Sequence, residues 1–228
     1  MTLTSGARRD EDLVLAVVRG SVGSEPVVKQ ARAELSTTRL LEAAAELIRD
    51  RGYEGTTLAA IGERAGYSHG LATRRFGNKE GLLGVLLDRL VMDWREHELR
   101  DAIGNLVGAD AIEAMVDAVR TSIRRSPSRM QALYALTFQS LLPTPILRER
   151  MIDIHRAWRQ HIRSMVVAGI EAGTVRPDAD PDEVAGYVVS GLRGAPFQWL
   201  LDPDDFDIDA ALGALIKMVK IALEPVRS

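Results

Sequence analysis

Six polar side chains crowd one short stretch of the chain: Ser68, His69, Thr73, Arg74, Arg75 and Lys79. Hydroxyl, imidazole, guanidinium and ammonium groups are the donors that proteins aim at phosphate oxygens and base edges, and Leu71 among them suits apolar contact with a base. The chemistry such a set could do is contact with the phosphates and base edges of double-stranded DNA, and the plainer reading of the same charges is a solvated face. Arg39 and the hydroxyls of Thr56 and Thr57 stand upstream and join the candidate contacts. Catalysis has little support, because there is no Gly-rich phosphate loop before a helix and no His pair at i, i+4 with a glutamate. No catalytic residue and no metal ligand is assigned; His155 and His161, six apart, would need a third ligand and a bent geometry.

Such donors reach DNA only if short helices hold them. Ser36 is a good N-cap for a first helix that carries Leu40, Ala44, Leu47 and Ile48 on one face and stops at Gly52. Thr56-Thr57 caps a short second helix with Leu58, Ile61 and Ala65 on one side. Gly66 permits a tight turn, Ser68 caps a third helix over roughly His69 to Arg75, and Phe76-Gly77 closes it. Two short helices joined by a glycine turn are a helix-turn-helix, and the third helix is its reader. Asn78 then caps a long fourth helix with Lys79 in its first turn. The macrodipole disfavours a cation there, yet the free N–H groups and the lysine together make an anion site.

In these residues the chain resembles the tetracycline-repressor (TetR) family of bacterial transcription regulators. The resemblance rests on Ala43-Ala44-Ala45, Gly52-Tyr53, Thr56-Thr57, Ile61, Ala65-Gly66-Tyr67-Ser68, Gly70, Phe76 and Lys79-Glu80. It implies a homodimer that grips a palindromic operator and releases it when a small molecule enters the C-terminal domain. Thr73 stands where the family usually has a tyrosine that contacts the DNA backbone, Tyr67 replaces a small β-branched residue, and Gly62 an alanine. The rival reading is a helical small-molecule-binding or scaffold protein whose head has lost DNA binding.

At 228 residues the chain accommodates a small and a larger domain, and its helix-period apolar spacing predicts an all-α fold. The expected division is a flexible arm over 1–33, a helix-turn-helix domain over 34–82, and a helical ligand-binding and dimerisation domain over 83–228. The net charge of −3 argues at first against a nucleic-acid partner. The head holds seven basic and seven acidic residues, so the excess acid belongs to the body, and the head is neutral and not a broad positive field. With no cysteine, neither a disulfide nor a thiol sensor exists. No run approaches ~20 apolar residues, and Leu13 to Val18 is too short for a secretory segment, so a cytoplasmic protein with no membrane partner and no cofactor is expected.

Further helices are expected up to about Arg125, from Pro127 to near Pro143, from Pro145 to Gly173, from Pro181, and after Asp207. The last two are apolar on more than one side. Val184, Val188, Gly191, Leu192, Ala195, Leu212, Leu215 and Val219 are therefore expected to pack against their twofold mates in a four-helix dimer interface. Trp94, His97, Tyr134, Gln139, His155, Trp158 and Arg193 lie on or beside apolar stripes and are the candidates for lining a small-molecule pocket. Arg193 is the most pointed, since it interrupts an apolar helix and must pair, snorkel or meet an anion.

Overall fold

The computed structural model describes residues 25–94 and 99–225, with the side chains of residues 25–28, 69 and 92–94 outside that description. Ten helices and no strand occur among the described residues. The chain divides between Leu82 and Leu83 into two units.

The first unit holds α1 (Glu25–Arg51), α2 (Leu58–Arg64), α3 (His69–Phe76) and the start of α4 (Lys79–Trp94). Leu40, Ala44, Leu47 and Ile48 of α1 are buried, together with Ile61 of α2 and Ala72 of α3. That is the stripe expected from the sequence. The beginning of α1 is not. Ser36 does not cap a helix, because α1 already runs from Glu25. Residues 25–33, expected to be part of a flexible arm, form its first turns; residues 1–24, with Arg8 and Arg9, lie outside the described residues. The reason is local. Ser36 and Thr37 each donate a hydroxyl hydrogen bond of 2.9 Å to the Ala33 carbonyl, and Thr38 donates one of 3.1 Å to Glu34. A polar Ser-Thr-Thr run that reads as a cap is thus absorbed by back-bonding inside the helix.

The second unit continues α4 and adds α5 (Arg100–Ile103), α6 (Gly108–Arg125), α7 (Pro127–Gln139), α8 (Pro145–Glu171), α9 (Pro181–Leu201) and α10 (Ile208–Leu223). Pro stands in the first turn of α7, α8 and α9, where its missing N–H costs nothing. Asp180 and Asp207 cap α9 and α10 by accepting from the N–H groups of Asp182 and Asp209, at 2.8 and 2.9 Å. Ile112, Met115 and Ile123 of α6, Ile162 and Val166 of α8, Val188 and Leu192 of α9, and Leu212, Leu215 and Val219 of α10 share one core. The end of α8 meets the start of α6 so closely that a Cβ on Gly169 would stand 2.6 Å from the Gly108 Cα. Only a glycine fits there.

Candidate nucleic-acid interface and helical cavity

The turn between α2 and α3 is built by three local devices. Thr57 caps α2, its hydroxyl accepting from the Ala60 N–H at 3.2 Å. Gly66 takes φ +76°, and the Tyr67 N–H donates back to the Gly62 carbonyl at 2.8 Å. A Cβ on Gly62 would meet main-chain atoms of Tyr67 and Ser68 at 3.2 Å, so the turn presses directly on α2. Thr56 is fully buried and gives its hydroxyl to the Gly52 carbonyl at 2.8 Å. Its side chain is removed from the list of DNA contacts, because it supports the turn from inside.

Ser68 occupies the N-cap position of α3 but makes no side-chain cap bond, and it is exposed. Thr73, Arg74 and Arg75 are exposed on the same helix, and Leu71 is half-buried. The two arginines behave differently. Arg75 reaches α1, donating to the Ala33 carbonyl at 2.6 Å and to the Thr37 hydroxyl. Arg74 makes no hydrogen bond or ion pair among the described residues. Lys79 donates to the Tyr53 carbonyl at 2.8 Å while its ammonium stands 3.9 Å from the centre of the Tyr53 ring. Burial raises the Tyr53 phenol above its ordinary value. Asn78 caps α4 as expected, accepting from the Gly81 N–H at 2.8 Å. Arg39 is exposed on α1, and the His69 side chain lies outside the described residues. Residues 66–70 spell Gly-Tyr-Ser-His-Gly, formally a Gly-x-Ser-x-Gly motif. Ser68 is nonetheless no nucleophile elbow, since the motif joins two helices rather than a strand and a helix.

In the second unit α4, α6, α7, α8 and α9 enclose a cavity of about 680 Å³ including its open mouth. Its wall is mostly apolar, with Met130, Leu133, Val189 and Leu192 among the lining side chains. Of the candidates from the sequence, Trp158 and Arg193 line it, and the Arg193 guanidinium carbon stands 5.6 Å from the centre of the Trp158 ring. Arg193 makes no ion pair or side-chain hydrogen bond among the described residues, and burial lowers its pKa. Tyr134 and Gln139 are buried elsewhere, so neither lines the cavity. The Tyr134 hydroxyl donates to the Arg193 carbonyl, and burial pushes its pKa up to about 12. That bond falls on the turn of α9 that contains Pro196, which offers no N–H to the carbonyl four residues back. His155 does not line the cavity either. Burial, helped by the charges of Arg193 and Arg159, pushes its pKa down to about 4, and its Nε2 is buried without a hydrogen-bond partner. His97 and the Trp94 side chain lie outside the described residues.

Ser122, Ser126 and Arg129 are polar lining residues that sequence reasoning missed, and of these Arg129 carries charge. From the first turn of α7 it donates to the Leu90 carbonyl of α4 at 2.6 Å. A cation in a helix's first turn, where the macrodipole opposes it, was the available signal. No group of His, Asp and Glu among the described residues could hold a metal ion, and no described helix is long and apolar enough to cross a membrane.

The expected dimer residues need correction. Val188, Leu192, Leu212, Leu215 and Val219 are buried in the unit's own core and cannot face a partner. Gly191 packs inward too, since a Cβ there would meet Leu215 at 2.8 Å. Val184 and Ala195 are half-buried against the same core. The large apolar residues that α9 and α10 do expose are Tyr187, Leu201, Met218 and Ile221.

Comparison with known proteins places both units. Residues 40–86 match the family described as bacterial regulatory proteins, tetR family, and residues 108–223 match that of the BetI-type transcriptional repressor, C-terminal. The HTH-type transcriptional regulator BetI of Burkholderia thailandensis is 25% identical over 193 residues, 84% of this chain and 95% of the relative. A TetR transcriptional regulator from Chloroflexus aurantiacus has a similar structure, with a TM-score of 0.74 and 25% identity over 85% of this chain and 98% of that one. The SmeT protein in its complex with triclosan is similar in fold, with a TM-score of 0.70 and 21% identity over 83% of this chain and 91% of that one. The two family matches together span most of the chain, which belongs to the tetR family of bacterial regulatory proteins and is a DNA-binding transcriptional repressor, not an enzyme.

Proposed function

We propose that the protein binds a palindromic operator as a twofold dimer, with α3 of each copy in a major groove, and that a small molecule in the cavity of the second unit releases it. The observation that carries the reading is the division of labour among the polar side chains of α3, its N-cap Ser68 and Lys79 at the start of α4. Arg75 and Lys79 are engaged with main-chain carbonyls of the head, whereas Ser68, Thr73 and Arg74 are presented outward. Arg75 and Lys79 therefore hold the reader, and Arg74 with the hydroxyls meets the DNA. Thr73 supplies a hydroxyl in place of a phenol, and Arg39 on α1 adds a cation for a flanking phosphate. A twofold dimer reads half-sites about one helical turn apart.

The dimer surface is the outer face of α9 and α10, where Leu201 is 69% and Ile221 62% exposed. A closed twofold pair covers such a face with its own copy. α4 belongs to both units, with Lys79 in its first turn and Leu90 and Val91 in the cavity wall. An effector acts through α4 only if it prefers one of two arrangements of that helix. Binding to chromosomal DNA implies work in the bacterial cytoplasm.

Fluorescence anisotropy against tiled fragments of the DNA flanking the gene, at two salt concentrations and with unrelated DNA as competitor, tests the reading. Competitor-resistant binding to one palindromic fragment is expected. Uniformly weak binding to every fragment, or equal operator affinity for effector-bound and free dimers, would overturn it.

A further inference from the structure

Among the described residues the cavity lining contains two arginines and no carboxylate, and the two are not equivalent. Arg129 already has acceptors, the Leu90 carbonyl at 2.6 Å and the Arg89 carbonyl at 3.4 Å. Arg193 has none among the described residues. The face of Trp158 stands against it, and a ring quadrupole compensates a guanidinium only in part. His155, whose titration Arg193 perturbs, is neutral at physiological pH and offers no opposing charge. An arginine keeps its proton even when buried, so the positive charge persists inside a mostly apolar cavity.

We infer that the cavity selects an amphipathic anion, an apolar body carrying one carboxylate or comparable anionic head, and that Arg193 is the residue that receives the head. This rests on the cavity being the effector site, and it adds the chemical class of the effector. The body of the ligand meets Met130, Leu133, Val189 and Leu192, while the head replaces the acceptor that Arg193 lacks. Guanidinium and carboxylate form two parallel charge-assisted hydrogen bonds, which water reaching the cavity mouth does not match. A neutral alcohol of the same shape offers the guanidinium one uncharged acceptor in place of a paired, charge-assisted one, and a cation adds repulsion.

Octanoate, octanol and octyltrimethylammonium share a chain length and differ in the charge of the head. Their affinities for the full-length protein, measured by calorimetry, test the inference without any mutation. Octanoate is expected to bind at least tenfold more tightly than octanol, about 1.4 kcal/mol, with the cation weakest. In Arg193→Met the carboxylate and the alcohol should bind alike, whereas Arg193→Lys should keep part of the preference. Equal binding of the three probes, tightest binding of the cation, no binding of any, or a carboxylate preference that survives in Arg193→Met would each overturn the inference. Operator anisotropy run in parallel separates this failure from failure of the regulator reading, since a protein that holds its operator and prefers the alcohol remains a regulator with a different effector.

Discussion

The two units use their cations in parallel ways and for opposite reasons. In the head, Lys79 and Arg75 reach main-chain carbonyls and Arg74 has no hydrogen bond or ion pair among the described residues; in the body, Arg129 reaches a carbonyl and Arg193 has no acceptor among them. Arg74 faces water, where an unpaired guanidinium costs almost nothing. Arg193 faces a cavity, where the same group carries a desolvation cost of about 1 kcal/mol or more. An exposed unpaired arginine is therefore weak testimony to function by itself, and its meaning comes from the helix that presents it. An enclosed one is strong testimony, because folding alone would favour an apolar side chain at that position.

The comparison breaks first at Arg74. Arg74→Ala is expected to weaken operator binding by about 1.5–3 kcal/mol per lost charge-assisted contact and to make the salt slope shallower by about 0.9 per phosphate. An unchanged slope in anisotropy titrations would leave Arg74 as a solvated surface residue. Lys79→Met keeps the stem over Tyr53 but removes the carbonyl partner and the cation–π contact, at about 1–2 kcal/mol of stability in denaturant melts. The operator salt slope should stay as it was; a shallower slope would move Lys79 from the holding residues to the phosphate contacts.

Arg193→Met should go the other way and stabilise the ligand-free protein by about 1 kcal/mol, which raises its melting temperature. A loss of stability would mean that the stack on Trp158 already satisfies the guanidinium. A pH-dependent effect is expected from His155, whose folded pKa of about 4 lies below the ordinary 6.5. Between those values the unfolded chain binds the proton and the folded one does not, so stability is full above about pH 6.5 and falls as pH drops toward 4. Partial exposure limits the loss to about 1–2 kcal/mol. His155→Leu should flatten that acid limb, and equal limbs in the two proteins would show that His155 does not set it.

Much of this was legible because local rules and tertiary packing agree. Gly66, Thr57 and Asn78 act in the turn, cap and helix start that their types suggest, and the stripe Leu40, Ala44, Leu47, Ile48 is the head's core. The misreadings share one cause, which is that a side chain's type does not reveal which partner it meets. Ser36 has the type of a cap but bonds back within α1. Periodicity on α9 and α10 showed apolar residues on several sides without saying which side the chain itself covers, and the rows chosen for a partner were the inner ones. Lys79 and Arg129 stand in first turns where the helix field opposes them, and both donate to a carbonyl of another helix or loop. A misplaced charge of this kind is a readable sign of a distant acceptor, though not of its identity.

Pro196 gives α9 a further property. The helix remains continuous across it, yet Pro196 has no N–H to give the Leu192 carbonyl, and the adjoining Arg193 carbonyl also accepts from Tyr134. The ladder is thereby divided into an N-terminal stretch and a short C-terminal one, which can open on separate timescales. Amide exchange should report α9 as two kinetic segments that meet beside Arg193, so the place where the helix yields most easily is also the place where the cavity's charge is mounted.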